Sequence, residues 1–276
     1  MKLGAHESAA GGVYNAINRA IEDGCEAMQL FVKSPNRWTS PAFRQGEVKS
    51  FLEQGAAFGF SNIAAHSAYL VNLASPKNDV WEKSVISMKD ELMRCDLLKI
   101  PFLIMHPGSP LDSGFDAGIE RVIQGIDELY SEQDISAVLL LEITAGMGNS
   151  LGGKLEHLQI ICERVKYGTF VGICLDTCHM HAAGYDIAEE YNQIMDELNG
   201  RFGKKLKVIH LNDSKNPAGT HKDRHELIGK GTISLETFRL IVNDKRFEDV
   251  LGIVETPVEN GIYKTELDTL KSLREK

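Results

Sequence analysis

The sequence predicts a single (β/α)8 TIM barrel, in which eight parallel strands are enclosed by eight helices. Eight short apolar runs alternate with eight amphipathic runs along the chain, and strict alternation favours a parallel sheet with helical crossovers. Eight such units within 276 residues favour a closed barrel over an open, doubly wound sheet. No change of composition and no Pro/Ser-rich linker divides the chain, so we expect residues 1–276 to form one domain.

Each strand is predicted from a short apolar or β-branched run that ends at glycine, proline or a polar residue. The predicted strands cover residues 2–6, 27–32, 63–66, 102–106, 137–142, 171–176, 206–211 and 251–255. The sixth run, Val-Gly-Ile-Cys-Leu-Asp, is typical of a strand buried on both faces that ends at a carboxylate.

Each helix is predicted from apolar residues that recur at spacings of three and four. The predicted helices cover residues 13–22, 45–58, 79–98, 119–130, 155–164, 187–198, 235–242 and 265–274. A long polar loop that runs to Gly231 follows the seventh strand.

Charge and composition exclude several classes of protein. A formal net charge of -9 argues against a nucleic-acid binder that relies on diffuse basic charge, so an anionic ligand must be held locally. Five cysteines without a Cys-x-x-Cys pair argue against a disulfide framework and a structural zinc knuckle. The sequence shows neither a signal peptide nor an apolar run of membrane-spanning length. We therefore expect a cytoplasmic protein with no membrane partner.

Metal-binding side chains follow most of the predicted strands, at the end of the barrel where the active sites of this fold lie. Six strands end in His66, His106, Glu142, Asp176, His210 and Glu255, and the loops add His179, Asp223 and His225. A lone histidine or acid is more often structural or solvated, but six at one location make coincidence a weak explanation. Five histidines with four carboxylates suit zinc, with manganese as the second choice.

The size of this set predicts more than one ion. A catalytic zinc takes about three protein ligands plus water, so nine candidate ligands imply two or three ions with one bridging carboxylate. Three divalent ions would outweigh the four carboxylates and leave a positive pocket in an acidic protein. Such a pocket suits a phosphodiester, because a metal cluster can bind its attacking and leaving oxygens and activate water.

Eight segments together resemble endonuclease IV, the zinc-dependent apurinic/apyrimidinic endonuclease family of base-excision repair. They are His66 and residues 105–109 (Met-His-Pro-Gly-Ser), 141–146 (Leu-Glu-Ile-Thr-Ala-Gly), 175–179 (Leu-Asp-Thr-Cys-His), 210–213 (His-Leu-Asn-Asp), 223–225 (Asp-Arg-His), 228–231 (Ile-Gly-Lys-Gly) and 254–256 (Val-Glu-Thr). Residues 4–12 match too, except at Glu7, where the family usually has an apolar residue. The resemblance covers essentially the whole chain.

The resemblance implies a three-zinc phosphodiesterase. The first zinc would bind His66, His106 and Glu142, the second Glu142, Asp176, His210 and Glu255, and the third His179, Asp223 and His225. It implies hydrolysis 5′ to an abasic site in double-stranded DNA, which leaves a 3′-hydroxyl and a 5′-deoxyribose phosphate. Glu142 is the expected catalytic residue, and metal-activated water replaces a serine or cysteine nucleophile. Manganese is the expected substitute at one site, and a monomer without an obligate protein partner is the family expectation.

Four residues are the expected DNA contacts. Tyr69 matches a family residue that inserts into the DNA stack. The other three, Asn36, Arg37 and Trp38, lie in the loop where the family has an arginine two or three residues before the tryptophan. Because stacking contributes roughly 1–3 kcal/mol per contact, the displaced arginine predicts weaker binding with intact chemistry.

Two further departures concern the surroundings of the metals. Ile143 stands where an asparagine is usual, and Met147 where a glutamine is usual. Polar partners of metal ligands commonly tune affinity by about 10- to 100-fold, so altered metal retention or activity is expected.

Two alternatives remain open from the sequence. One is a metal-dependent sugar isomerase or epimerase on the same type of barrel, and the other is a non-catalytic protein that binds abasic DNA.

Among residues outside the matched positions, His6 is expected to support a ligand or to face DNA. His181 and His221 are expected to be exposed loop residues, and Cys174 and Cys178 to be buried free thiols.

Overall fold

The computed structural model describes residues 1–131 and 135–275 and contains a closed barrel of eight parallel strands. The strands are Lys2–His6, Ala27–Phe31, Ile63–His66, Phe102–Met105, Val138–Glu142, Val171–Asp176, Leu206–His210 and Leu251–Val254. Each strand pairs with its neighbours in the chain, and the first pairs with the last. The predicted fold class is confirmed, and every predicted strand lies within one residue of its observed bounds.

Nine α-helices lie in the described residues. Eight alternate with the strands, namely Tyr14–Glu22, Glu47–Phe58, Asn78–Leu98, Phe115–Ser131, Leu155–Arg164, Tyr191–Phe202, Leu235–Asn243 and Lys264–Ser272. The fourth begins four residues before its predicted start. The helix predicted over residues 187–198 begins only at Tyr191, after a turn in which the carbonyl oxygen of Asp186 accepts from the Glu190 amide at 2.8 Å.

The ninth helix, Thr177–Ala183, was not predicted. It follows directly from the sixth strand, since the side chain of Asp176 accepts a hydrogen bond of 2.8 Å from the amide of His179. An aspartate at this position satisfies one of the free amides of a helix start. The chain therefore turns from strand to helix without a loop, and both of these polar residues stay at the barrel rim.

Two hydrophobic layers hold the barrel together. Small and branched side chains fill its interior, namely Ala27, Ala64, Ile104, Leu140, Cys174, Val208, Leu251 and Ile253. A larger layer packs the outer face of the strands against the helices. Gly4 permits the close approach of the first two strands, because a Cβ atom there would lie 1.7 Å from the carbonyl oxygen of Ala27. No helix among the described residues has the length and apolarity needed to cross a membrane.

The strand register places the candidate ligands at one rim. Asp176 is paired with His210, and Glu142 with Cys174, at the carboxyl ends of adjacent strands. Because parallel strands end at the same edge, side chains that point inward there converge. A two-residue pairing of Asp213–Ser214 with His225–Glu226 folds the long loop after the seventh strand back over this rim.

Glu7 is a carboxyl buried beside the first strand. Only 1% of the surface of this residue is exposed. One oxygen, Oε1, accepts from the thiol of Cys25 at 3.7 Å, and Oε2 has no hydrogen-bond partner in the described part of the chain. Burial, reinforced by the charge of Asp23, raises the pKa of Glu7 to about 7. The folded protein therefore favours the neutral acid.

We predict that Glu7→Gln stabilises the protein above neutral pH. The raised pKa means that the cost of ionising Glu7 is absent below about pH 4.5, grows until about pH 7 and then stays constant. The variant is expected to gain about 3 kcal/mol in the free energy of unfolding at pH 8 and almost nothing at pH 4.5. Urea unfolding across this pH range measures the difference.

The exposed Glu22 provides the matched control for this comparison. Glu22→Gln is expected to show no gain that depends on pH. Equal stability of Glu7→Gln and the wild type at pH 8 would show that the buried carboxyl carries no such cost.

Candidate metal centre

Glu142 lies at the centre of the rim, and both of its carboxylate oxygens face imidazole nitrogens. Its Oε2 atom lies 3.0 Å from Nε2 of His66 and 3.0 Å from Nε2 of His106. Its Oε1 atom lies 3.0 Å from Nδ1 of His210 and 3.3 Å from Nδ1 of His179. The two oxygens thus face different histidines, an arrangement that allows one carboxylate to serve two ions.

A second group forms around His210. Nδ1 of this residue lies 3.4 Å from Oε2 of Glu255 and 3.8 Å from Oδ2 of Asp176. The same nitrogen lies 3.0 Å from Oε1 of Glu142, so carboxylates that follow the fifth, sixth and eighth strands converge on one histidine of the seventh. Asp176 is fully buried, and Glu255 is partly exposed.

A third group joins the short helix to the long loop. Nε2 of His179 lies 3.2 Å from Oδ2 of Asp223, and Nε2 of His225 lies 3.3 Å from Oδ1 of the same aspartate. His225 also approaches Oδ2 of Asp176 at 3.6 Å. The structure therefore brings all nine sequence-predicted ligands into one continuous cluster of potential metal-binding groups.

Four of the histidines are oriented by a second, outer contact. These contacts are His66 Nδ1 to the Ser67 carbonyl at 2.9 Å, His179 Nδ1 to the Ile143 carbonyl at 3.0 Å, His210 Nε2 to Gln29 Oε1 at 2.8 Å, and His225 Nδ1 to the Glu255 carbonyl at 3.3 Å. Carbonyl oxygens only accept hydrogen bonds, so each of these nitrogens donates. In a neutral imidazole the opposite nitrogen then carries a lone pair.

Those opposite nitrogens face carboxylate oxygens. His66 Nε2 faces Glu142 at 3.0 Å, and His179 Nε2 faces Asp223 at 3.2 Å. Nε2 of His225 is buried and has no hydrogen-bond partner among the described residues. A metal ion placed between such a nitrogen and a carboxylate oxygen would bind to both, so the donor set fits bound metal ions.

The electrostatics of the cluster also favour bound cations. Burial alone would disfavour charge on His66, His179 and His210, but the neighbouring carboxylates outweigh it and raise the pKa of all three. Burial likewise opposes ionisation of Glu142 and Glu255, yet the surrounding histidines hold the pKa of both carboxyls well below the usual range. Buried carboxylates this close together are costly unless positive charge compensates them.

Two buried amides that the sequence did not predict orient the candidate ligands. Gln29 donates from Nε2 to Oε1 of Glu255 at 2.6 Å and accepts from His210 at 2.8 Å. Asn212 donates to Oδ2 of Asp176 at 2.7 Å and accepts from the backbone amide of Glu255 at 2.8 Å. The sequence contained a signal for both residues, because a polar residue within or directly after a buried apolar strand indicates a specific hydrogen-bonding role.

His6 contacts a candidate ligand, as one of its two expected roles required. Its Nδ1 atom lies 2.9 Å from Oε1 of Glu255.

The prediction that His181 is an exposed loop residue was wrong. This residue is buried on helix Thr177–Ala183, and its Nε2 atom lies 3.2 Å from Oγ1 of Thr232. The cap by Asp176 extends helical structure over a segment that the sequence pattern had assigned to a loop.

Two cysteines lie close to the cluster. Cys174 lies within reach of Glu142 and His210, and Cys178 within reach of Asp223 and His225. Both are fully buried free thiols, as predicted. Burial raises the pKa of each thiol to about 12, which disfavours the thiolate form that binds metal.

The two departures near the metals occupy different environments. The side chain of Ile143 is buried in the hydrophobic layer, and its carbonyl oxygen is the one that holds His179. Met147 is exposed and lines a groove of about 480 Å³ together with Tyr69 and His106. Ile143 therefore supports a ligand through its backbone, while Met147 shapes the approach to the rim.

The expected DNA contacts lie in two neighbouring places. Tyr69 is 67% exposed and lines the cavity of about 380 Å³ that contains the metal cluster. Phe31 supports it through an edge-on ring contact at 5.4 Å. The other three, Asn36, Arg37 and Trp38, line a separate cavity of about 670 Å³ that includes Leu70, the neighbour of Tyr69.

The chain is similar to known proteins over most of its length. Residues 17–273 match the family model described as xylose isomerase-like TIM barrel. A protein of Geobacter sp. (strain M21), named probable endonuclease 4, is 42% identical over 259 residues, which cover 92% of each chain. The crystal structure of endonuclease IV from Thermus thermophilus has a TM-score of 0.87 and 33% identity, and covers 99% of this chain and 98% of its own.

A sugar enzyme shares the fold as well. The structure of D-psicose 3-epimerase from Clostridium cellulolyticum H10 has a TM-score of 0.68 and 15% identity, and covers 98% of this chain and 90% of its own. Likeness at this level of identity shows a common fold alone.

We predict that Gln29→Met weakens metal binding without unfolding the barrel. The change keeps the length of the side chain but removes its hydrogen bonds to Glu255 and His210. The loss of such outer partners typically lowers affinity by about 10- to 100-fold. Competition with a fluorescent zinc chelator measures the affinity, and a circular dichroism melt checks the fold.

Gln159, on the outer helix Leu155–Arg164, provides the matched control. Gln159→Met should bind zinc as the wild type does. If Gln29→Met retained wild-type zinc affinity, the amide would have no part in orienting the ligands.

Proposed function

We propose a reaction and a metal complement for this chain, which belongs to the endonuclease IV family of DNA-repair hydrolases. Full-length similarity to endonuclease 4 proteins makes it a DNA-repair endonuclease. We infer that it hydrolyses the phosphodiester 5′ to an abasic site in double-stranded DNA. The products would be a 3′-hydroxyl and a 5′-deoxyribose phosphate, and the chain would act as a monomer. The observation that carries the proposal is the convergence of the nine predicted ligands in one cluster at the barrel rim.

The cluster divides into three groups that would each hold one zinc. The first group is His66, His106 and Glu142, the second is Glu142, Asp176, His210 and Glu255, and the third is His179, Asp223 and His225. Zinc suits imidazole and carboxylate ligands, with manganese as a substitute at one site. Bound zinc would lower the pKa of water and neutralise negative charge on phosphate oxygens.

The protein's own side chains position the substrate around these ions. Glu142 presents its two oxygens to opposite sides and would fix the spacing of the first two ions. The exposed ring of Tyr69 at the cavity rim would stack on a base beside the lesion. Taking a nucleotide out of the duplex stack costs least where pairing and stacking are already lost, as at an abasic site. An abasic nucleotide is therefore the substrate that enters this cavity most easily.

We predict that the zinc-loaded protein nicks a duplex with one tetrahydrofuran abasic analogue on the 5′ side of the lesion. A strong chelator should abolish the activity, and re-addition of zinc should restore it. Denaturing gel electrophoresis of an end-labelled strand identifies the cleavage site. Absence of nicking by fully metal-loaded protein would contradict the proposal and favour a non-catalytic binder, while interconversion of ketohexoses would favour a sugar epimerase.

The same cleavage assay with Glu142→Gln tests the bridging role of this carboxylate. The neutral amide keeps the shape of the side chain but removes the charge that the cations require, so kcat should fall by about a thousand-fold or more. Glu163→Gln, on an exposed helix position, should cleave normally. Wild-type cleavage by Glu142→Gln would refute the bridging role.

A further inference from the structure

A buried ion pair lies outside the metal cluster. Nζ of Lys33 is 3.2 Å from Oε1 of Glu91, and each side chain is only 1% exposed. Lys33 follows the second strand, and Glu91 lies on the outer helix Asn78–Leu98. Because the burial of two charges is costly unless further hydrogen bonds satisfy them, the remaining contacts of the pair indicate what it stabilises.

Lys33 binds the loop that carries three of the expected DNA contacts. Its ammonium group donates to the hydroxyl of Ser87 at 2.7 Å, to the Ser87 carbonyl at 3.2 Å and to the Trp38 carbonyl at 3.2 Å. The loop therefore closes on itself from Lys33 to Trp38 and is attached to the helix. Asn36 and Arg37 lie on the exposed tip between these two points.

Glu91 binds the other loop that carries an expected DNA contact. Its Oε1 atom accepts from the Ser87 hydroxyl at 3.2 Å, and its Oε2 atom accepts from the amide of Ala68 at 2.9 Å. Ala68 directly precedes Tyr69, whose own amide donates to the carbonyl of Pro35 at 3.0 Å. The two loops are thus attached to each other and to opposite partners of one ion pair.

We propose that the Lys33–Glu91 pair is a positioning device that fixes Tyr69 relative to the 36–38 segment and thereby sets the affinity for abasic DNA. This inference rests on the proposed function. Other residues line the metal cavity, so the pair acts through the loops and not on the reacting atoms. Ordering exposed side chains on binding lowers affinity, and loops that are ordered beforehand avoid that loss.

The test uses two variants of the full-length, zinc-loaded protein. Glu91→Gln removes one charge, and the double change Lys33→Met with Glu91→Leu removes both, so that no buried charge is left unpaired. Both variants should raise KM for the tetrahydrofuran duplex by about ten-fold, as expected when roughly two side chains lose their order. The value of kcat and the zinc content should stay at wild-type levels.

Lys89 supplies the matched control on the same helix. It pairs with Glu128 at 3.7 Å, away from both loops, and Lys89→Met should leave KM unchanged. Hydrogen exchange of peptides over residues 33–44 and 67–72, measured without DNA, gives a readout independent of cleavage. Exchange should be faster in both loops of the two test variants and unchanged in Lys89→Met.

The outcomes separate this inference from the function on which it rests. Failure of the wild-type protein to nick the tetrahydrofuran duplex would contradict the proposed function. Wild-type protein that nicks, together with variants whose KM or loop exchange matches the wild type, would overturn the positioning role alone. A loss of kcat and zinc without a change in KM would also overturn it, because the pair would then act on the metal cluster.

Discussion

The structure depends on a single electrostatic constraint at the barrel rim. Four carboxylates and five imidazoles converge there, and outer hydrogen bonds orient four of the imidazoles so that the opposite nitrogen faces the cluster. Bound cations would satisfy the carboxylates and these nitrogens together. Backbone carbonyls hold His66 and His179 in one tautomer, while the buried amides of Gln29 and Asn212 hold His210, Asp176 and Glu255.

Strands and loops both contribute to the site. Six of the nine candidate ligands lie at strand ends, where register fixes their spacing. Asp223 and His225 instead lie in the long loop, whose fold depends on Asp213. This carboxylate accepts from the amides of Gly229, Gly231 and Ile233 at 2.9 Å each. The third group is therefore supported by a hydrogen-bond network of its own.

Sequence reasoning was strongest where a local pattern determines the structure. Alternating apolar runs define the barrel, and a polar residue at the end of such a run marks the rim, which is how His66, Glu142 and Asp176 were found. It missed one local contact, the cap of Asp176 on the His179 amide, and with it the helix Thr177–Ala183 and the burial of His181. It also failed where a contact spans the chain, because the partner of Lys33 lies 58 residues away, on the helix Asn78–Leu98. A local pattern contains no information about such partners.

A protein of net charge -9 needs local positive charge to hold DNA. The electrostatic constraint at the barrel rim is therefore decisive for function. The central claim is that nine side chains hold three cations around Glu142. Metal analysis by inductively coupled plasma mass spectrometry, after dialysis against metal-free buffer, tests it most directly. About three zinc ions per chain, falling on removal of the Glu142 charge, is the expected result. One ion or none in folded protein would contradict the account.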